Sequence, residues 1–180
     1  MAACRLATSV VFCAAFAAAR FMNLNEDYQA EVDIIGSGEN TSILLLLTVN
    51  TKGYVGFGFG PNPNMTGADL FIGGVNNSML YGKDYHGIGN TAPEEDCDTC
   101  QDWEVVTGVE SDSGTSLVIQ RLVNTLDTDG DIEIQNSTTY VLWSYGEFDI
   151  INHHRRRGFR ELNLFTVDDP RPGSSTPNPN

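Results

Sequence analysis

The sequence lacks an apolar run long enough to cross a membrane. Its longest one, residues 6–16, is shorter than the ~20 residues that a spanning helix needs. Arg5 precedes this run, and three alanines at residues 17–19 follow it, which is the pattern of a secretory signal peptide. We therefore predict a signal peptide over residues 1–19, a mature chain from about Arg20, and a location that is secreted, extracellular or in the secretory-pathway lumen.

Basic residues are also scarce. Lysine and arginine number 10 against 24 aspartates and glutamates, which gives a formal net charge of −14 near neutral pH. Such a surface repels nucleic acids and anionic lipids, so we expect no nucleic-acid partner. Because no later segment supplies a long apolar run, we also expect no membrane span. A divalent cation or a basic partner suits the charge, and so does the simpler role of keeping a secreted protein soluble.

Cysteine is limited to four residues, and two of them, Cys4 and Cys13, lie in the predicted signal peptide. Cys97 and Cys100 remain, in an acidic loop. Their spacing fits a redox dithiol or half of a zinc site, but no second cysteine pair or nearby histidine pair completes a zinc site. In an oxidising compartment a disulfide between Cys97 and Cys100 is the prediction, with pairing to another chain as the alternative.

No segment shows a helical pattern over three turns. Short β-type runs separated by Gly, Asn, Asp and Ser recur instead, which predicts an all-β fold, an antiparallel β-sandwich with immunoglobulin-like packing of two sheets. Residues 43–47 are all apolar and should be covered on both faces, whereas residues 28–35 alternate and should have one wet face. The predicted strands are residues 28–35, 42–50, 54–59, 69–75, 103–109, 116–122, 140–145 and 160–165.

One domain accounts for the mature chain. Its length is typical of a single domain that buries its own core, so we place the domain at residues 20–169. Residues 170–180 consist largely of Pro, Gly, Ser and Asn and are predicted to be a disordered tail or a truncated linker. Four glycosylation sequons begin at Asn40, Asn64, Asn76 and Asn136, and they have meaning only outside the cytosol.

A glycine-rich run at residues 53–60 is followed by the sequence Met-Thr-Gly-Ala-Asp at residues 65–69. Together they closely resemble the signature of the DOMON domain. Further landmarks stand in the family's order at residues 84–85, 101–103, 121–129, 143–145, 153 and 157–158. The sequence is most similar to the N-terminal domain of dopamine β-monooxygenase-like proteins, the copper type II ascorbate-dependent monooxygenases, and the resemblance implies a DOMON-type sandwich.

Catalysis is not expected from this chain alone. The copper-binding domains of that family carry histidine-rich motifs, whereas this sequence has three histidines. It also has no Gly-x-Ser-x-Gly, phosphate-binding loop or nucleophilic triad, so we predict no catalytic residues. We predict a non-catalytic module that binds a small-molecule ligand or a redox or monooxygenase partner protein. An accessory fragment of a dopamine β-monooxygenase-like enzyme is one alternative.

A haem b electron-transfer domain is the other alternative. In haem-binding DOMON domains a Met on the loop after the glycine-rich strand and a His before the last strand are the axial ligands. The resemblance places these roles at Met65 and His153, with His154 as a substitute. A Met65 that only fills an apolar gap is the simpler interpretation.

The glycines of the same strand bear on haem binding. Gly56, Gly58 and Gly60 share one face of the strand, because side chains alternate between faces. That face has room for a flat ring unless Trp143 or a Tyr from a facing strand fills the space.

The resemblance also implies a cation site. The dopamine β-monooxygenase DOMON domain binds a cation at the acidic residue of the Gly-Ala-Asp motif, and hard oxygen ligands suit Ca²⁺ or Na⁺. Asp96 or Asp102 could replace Asp98 as a ligand, since the cysteine loop is an insertion. An Asp69 that is salt-bridged or caps a turn, without an ion, is the alternative. The predicted ligands are the carboxylates of Asp69 and Asp98 and the backbone carbonyls of Leu70 and Tyr85.

Residues 127–131 resemble the start of a calcium-binding EF-hand loop. Ile132 and Thr138 stand where that loop needs Gly and Glu, so we predict only a tight turn between strands.

Overall fold

The computed structural model describes residues 19–128 and 130–173. These residues form eleven strands: β1 (Arg20–Asn23), β2 (Tyr28–Ile35), β3 (Ser42–Val49), β4 (Val55–Gly60), β5 (Asp69–Asn76), β6 (Met79–His86), β7 (Glu94–Glu95), β8 (Glu104–Ser111), β9 (Gly114–Leu122), β10 (Thr139–Tyr145) and β11 (Arg156–Leu162). One turn of 3-10 helix, Gly38–Asn40, is the sole helix in this part of the chain. No helix there is long and apolar enough to cross a membrane.

Two antiparallel sheets pack face to face, which confirms the predicted all-β sandwich. The five-stranded sheet has the order β1-β2-β3-β9-β8, and the six-stranded sheet has the order β11-β10-β4-β5-β6-β7. All eight predicted strands exist, although the last was placed too late, because β11 begins at Arg156. Its charged residues fit an edge strand with solvent on one side. The sequence prediction missed β1, β6 and β7.

The central strand β3 is covered on both faces, as its apolar run predicts. Ile43, Leu45 and Leu47 are fully buried in the main core between the sheets. Leu44, on the outer face, packs against Val118 and Ala19 in a second small cluster. In β2, buried residues alternate with partly exposed ones over most of the strand, so the predicted wet face is also present.

The glycine face of β4 is filled by side chains of its own sheet. A Cβ at Gly58 would lie 2.8 Å from Leu70 Cδ2, and one at Gly60 would lie 2.7 Å from Leu142 Cδ1. Trp143 does not cover this face, because it is paired in register with Phe57 and both side chains lie in the main core. Neither a flat ring nor Trp143 is needed to fill the space above the glycines.

The two ends of the predicted domain pack against each other. Residues 1–18 of the predicted signal peptide and residues 174–180 of the predicted tail lie outside the described residues, and Ala19 is buried. Arg171 donates a hydrogen bond to the Ala19 carbonyl at 2.8 Å and lies over the Phe21 ring. The start of the predicted tail is therefore packed against the domain.

Candidate functional site

Three carboxylates converge inside one end of the sandwich, and we call them the carboxylate cluster. Asp69 begins β5, Asp84 lies on β6 and Asp131 follows β9 in the connection to β10. One oxygen of each lies within 4.8 Å of the other two. Asp69 and Asp84 are 0% exposed, and the side chain of Asp131 is 1% exposed. The register of β5 and β6 explains why Asp69 and Asp84 lie close together. Asp84 is opposite Phe71, which faces the core, and Asp69 lies on the same face of β5 as Phe71 because side chains alternate along a strand.

Asp69 is held by three donors from elsewhere in the fold. Arg121 forms a buried ion pair with Asp69 Oδ2, and the backbone N–H of Ile132 donates to the same oxygen at 3.0 Å. The Trp103 indole donates to Asp69 Oδ1 at 3.0 Å, and the Arg121 guanidinium lies 5.3 Å from the Trp103 ring centre. Asp69 therefore has the salt bridge that the sequence left open as an alternative.

The other two carboxylates are less well paired than Asp69. Asp84 Oδ2 accepts a hydrogen bond from the Asp102 N–H at 3.0 Å, but no described residue donates to Asp84 Oδ1. Neither oxygen of Asp131 accepts a hydrogen bond of normal geometry from the described part of the chain; Arg121 Nη1 lies 3.9 Å from its Oδ2, and the nearby Thr125 hydroxyl acts to lower its pKa. A buried acceptor without a donor costs about 1–3 kcal/mol. The cluster thus contains three buried carboxylate oxygens without a full hydrogen-bond partner among the described residues, an environment that a positive charge would stabilise.

Burial and mutual repulsion make these acids hard to ionise. Burial, aided by the charges of Asp69 and Asp131, raises the pKa of Asp84 to about 8. Burial and the charge of Asp69 raise the pKa of Asp131 to about 6. When all three acids are ionised, Arg121 balances one charge, so the cluster carries a formal charge of −2. A single divalent cation would neutralise it.

A histidine and a fourth acid flank the cluster. His86 pairs with Asp69 in the β5–β6 register and hydrogen-bonds the largely buried Asp96. This hydrogen bond raises the pKa of His86. His86 therefore pairs with Asp96 Oδ1, while Asp96 Oδ2 is buried without a hydrogen bond from a described residue.

The predicted cation ligands are only partly brought together. Asp69 belongs to the cluster, whereas Asp98 lies exposed in the loop closed by the Cys97–Cys100 disulfide, a bond that is present as predicted. Leu70 and Tyr85, whose carbonyls are the other predicted ligands, are register partners on β5 and β6, and their ligand role stays a prediction.

Asp84, Asp131 and Arg121 were missed as site residues. The one available signal for Asp131 was the acid-rich turn at residues 127–131, which was interpreted only as a turn.

The predicted haem ligands lie at opposite ends of β4. Met65 packs near Leu70 and Leu142 at the Gly60 end. His154 Nδ1 lies 3.1 Å from the Tyr54 hydroxyl at the other end, and His153 is exposed. The strand between them is about 16 Å long at the usual rise, whereas axial ligands flank one iron atom. The residues present do not fit a shared haem in this arrangement.

The four sequon asparagines are all exposed. Asn64 Oδ1 accepts a hydrogen bond from the Thr66 N–H at 2.8 Å, and Asn136 Oδ1 accepts one from Asn163 Nδ2 at 2.9 Å. Their glycosylation stays a prediction.

The raised pKa values predict how stability depends on pH. Asp84 and Asp131 bind protons more tightly in the folded than in the unfolded chain, where aspartate titrates near pH 3.9. In cation-free protein, ionisation of these two groups therefore lowers the free energy of unfolding as the pH rises. The loss falls between about pH 4 and pH 6 for Asp131 and between about pH 4 and pH 8 for Asp84. Urea unfolding at pH 5 and pH 8 measures this, and Asp84→Asn should flatten the slope. A slope unchanged by that substitution would contradict the assignment.

The comparisons with known proteins agree with the architecture. A family model of the DOMON domain matches residues 24–146. The chain is 37% identical over 124 residues to MOXD1 homolog 2 of Drosophila melanogaster. This alignment covers 69% of this chain and 16% of that protein. It is 36% identical over 127 residues to DBH-like monooxygenase protein 1 of Mus musculus, in an alignment that covers 68% of this chain and 20% of that protein. The chain therefore spans about a fifth of these relatives.

Two solved structures share the fold. The cytochrome b domain of pyranose dehydrogenase from Coprinopsis cinerea aligns with a TM-score of 0.63 at 11% identity, over 79% of each chain. The cytochrome domain of Myriococcum thermophilum cellobiose dehydrogenase aligns with a TM-score of 0.61 at 13% identity, over 83% of this chain and 85% of that one. At such low identity the likeness shows the fold alone.

Proposed function

This chain belongs to the DOMON domain family, and from that premise we propose that it is a non-catalytic binding module of the secretory pathway that holds a divalent cation, Ca²⁺, in the carboxylate cluster. The cation neutralises the cluster and fixes the connection between β9 and β10 to β5 and β6. The module presents the stabilised sandwich to a ligand or a partner protein.

One observation carries the cation proposal. Asp84 Oδ1 and both oxygens of Asp131 are buried without a hydrogen bond of normal geometry from the described residues, in a cluster whose formal charge is −2 when all three acids are ionised and Arg121 is counted. Oxygens within 4.8 Å of one another can share an ion that binds oxygen at about 2.3–2.6 Å, as Ca²⁺ does. Na⁺ would bind the same oxygens but would leave one negative charge unbalanced.

Calorimetry and thermal unfolding test the proposal. Protein stripped with a chelator should bind one Ca²⁺ per chain. At a free Ca²⁺ concentration of one hundred times Kd, binding adds about 2.7 kcal/mol to the free energy of unfolding, which raises Tm by roughly 5–10 °C. Mg²⁺ and Na⁺ at matched ionic strength should give smaller shifts. An equal shift with all three salts would reject a specific site.

The proposed location and family role rest on further observations. The Cys97–Cys100 disulfide and four exposed sequons suit an oxidising compartment. The relatives are named as monooxygenases, and this chain matches about a fifth of their length. We therefore assign it an accessory role beside a redox or monooxygenase partner, with no catalytic residue of its own.

Haem binding is the second candidate, and the likeness to two cytochrome domains favours it. It would need the connection between β10 and β11, which holds His153 and His154, to move to the Met65 end of the sheet. We expect protein expressed with haem available to show no Soret band. A Soret band with sharp reduced α and β bands, lost in both Met65→Ala and His153→Ala, would instead establish a low-spin haem.

A further inference from the structure

One side of the sandwich leaves two strand edges open. β6 pairs with β7 only at Tyr85 and His86, so within the described residues no strand covers its outer edge from residue 79 to 84. β8 is the edge strand of the other sheet. Leu80 of β6 lies against Gly108 of β8, so the two edges run beside each other.

A cleft of about 730 Å³ lies along these edges, and we call it the β6–β8 cleft. Its walls include Leu80, Tyr81, Gly82, Asp102, Glu104 and Val105. The two strands also carry four large apolar side chains with high exposure: Met79 at 70%, Leu80 at 41%, Val106 at 39% and Val109 at 60%. Unpaired backbone and exposed apolar side chains therefore occur together on one side of the domain.

Just before its pairing with β7, the edge of β6 takes amide partners at Asp84, where the Asp96 N–H donates to the carbonyl at 3.0 Å. The Gln101 side chain accepts a hydrogen bond from the Asp84 N–H at 2.9 Å and donates to the Asp84 carbonyl at 3.3 Å. Backbone groups of alternate residues point to the same edge of a strand, so Gly82 and Leu80 direct theirs into the cleft. No described backbone group bonds to them on this edge.

The charge around the cleft is negative. Asp102 and Glu104 line it, and burial, a hydrogen bond to Asp149 and the nearby charge of Glu110 all raise the pKa of Tyr81. The neighbouring cations are already paired, because Arg121 binds Asp69 and Lys83 binds Glu95 at 2.9 Å. The net charge of −14 opposes the approach of a second copy of this chain.

We propose that the β6–β8 cleft docks an extended segment of a partner protein that carries basic side chains, which adds a strand to the free edge of β6 at Leu80 and Gly82. Main-chain hydrogen bonds supply affinity in this mode of recognition, and alternate side chains supply specificity. The inference deepens the proposed partner-binding role by naming the partner's chemistry, and it requires no bound cation.

The test uses a blocked synthetic peptide of alternating lysine and valine, with amide hydrogen exchange of the full chain followed by NMR. The peptide should slow exchange at Leu80 and Gly82, and added salt should weaken its binding. A copy with methylated backbone nitrogens and a copy with glutamate for lysine should each bind at least tenfold more weakly. Leu80→Lys should weaken binding at least tenfold, whereas Leu126→Lys, at an 83% exposed loop position, should leave it unchanged.

Four results would overturn the inference, the last of them an absence of peptide binding both with Ca²⁺ and with a chelator. Protection at the edges of β1 or β11 would place the segment elsewhere, and equal binding of the methylated peptide would exclude strand addition. Concentration-dependent dimerisation that protects the same amides would make the occupant a second copy. The titration is run with Ca²⁺ and with a chelator. Peptide binding in both supports the docking site even if the cation proposal fails, and its absence in both rejects the docking site even if Ca²⁺ raises Tm.

Discussion

Replacing Arg121 with methionine should lower the free energy of unfolding by about 3–5 kcal/mol, the usual effect of removing one partner of a buried ion pair. The substitution leaves Asp69, which is 0% exposed, with only the Trp103 and Ile132 hydrogen bonds. The guanidinium also donates to the Ile132 carbonyl at 2.6 Å, so the connection after β9 loosens as well. Urea unfolding measures the loss, and Tm should fall by roughly 6–20 °C.

Two further variants control for this effect. Lys52→Met removes a cation whose ion pair with Asp112 is exposed and should leave Tm unchanged. The double variant Asp69→Asn with Arg121→Met removes both buried charges and should be more stable than Arg121→Met alone. If Arg121→Met unfolds at the same temperature as Lys52→Met, Arg121 does not hold the cluster together.

Asp84→Asn should abolish most of the Ca²⁺-dependent rise in Tm. The amide keeps the size of the carboxyl group but removes one of the two charges that the cation balances. In a chelator at pH 8 the variant should be as stable as the unchanged protein or more so, because burial and neighbouring acids already disfavour the ionised Asp84. Differential scanning calorimetry with Ca²⁺ and with a chelator separates the two conditions.

The pattern across conditions distinguishes a ligand from a structural residue. If Asp84 had only a structural role, the Asp84→Asn substitution would lower Tm by the same amount with and without Ca²⁺. Asp112→Asn is the matched control, because its side chain is fully exposed, and it should retain the whole Ca²⁺ response. Loss of the response in both variants would mean that Ca²⁺ acts through general surface charge.

Local patterns in the sequence predicted most of the fold. The alternation in residues 28–35 and the apolar run at residues 43–47 identified β2 and β3 with their correct faces. β6 was missed because Gly82, Lys83 and Asp84 interrupt its apolar pattern. The turn before β6 is formed by Asn77 and Ser78, both in the left-handed region, and an asparagine followed by a small polar residue was the available signal for a hairpin.

The site was only partly predictable because its residues are distant in the chain. Asp69 was identified from its motif, and the disulfide from its spacing and compartment. Arg121 follows Asp69 by 52 positions and Ile132 follows it by 63, so both reach Asp69 only when the two sheets pack. No local periodicity marks such partners, and exposed and buried aspartates look alike in the sequence.

Terbium luminescence tests the central claim most directly. Tb³⁺ takes oxygen ligands as Ca²⁺ does, and the Trp103 indole lies 3.0 Å from an oxygen of Asp69, close enough to pass excitation energy to an ion in the cluster. We predict sensitised emission that saturates at one ion per chain, is displaced by Ca²⁺, and is lost in Trp103→Phe and in Asp84→Asn. Emission that is absent, or that persists unchanged in Asp84→Asn, would contradict a cation held by the carboxylate cluster.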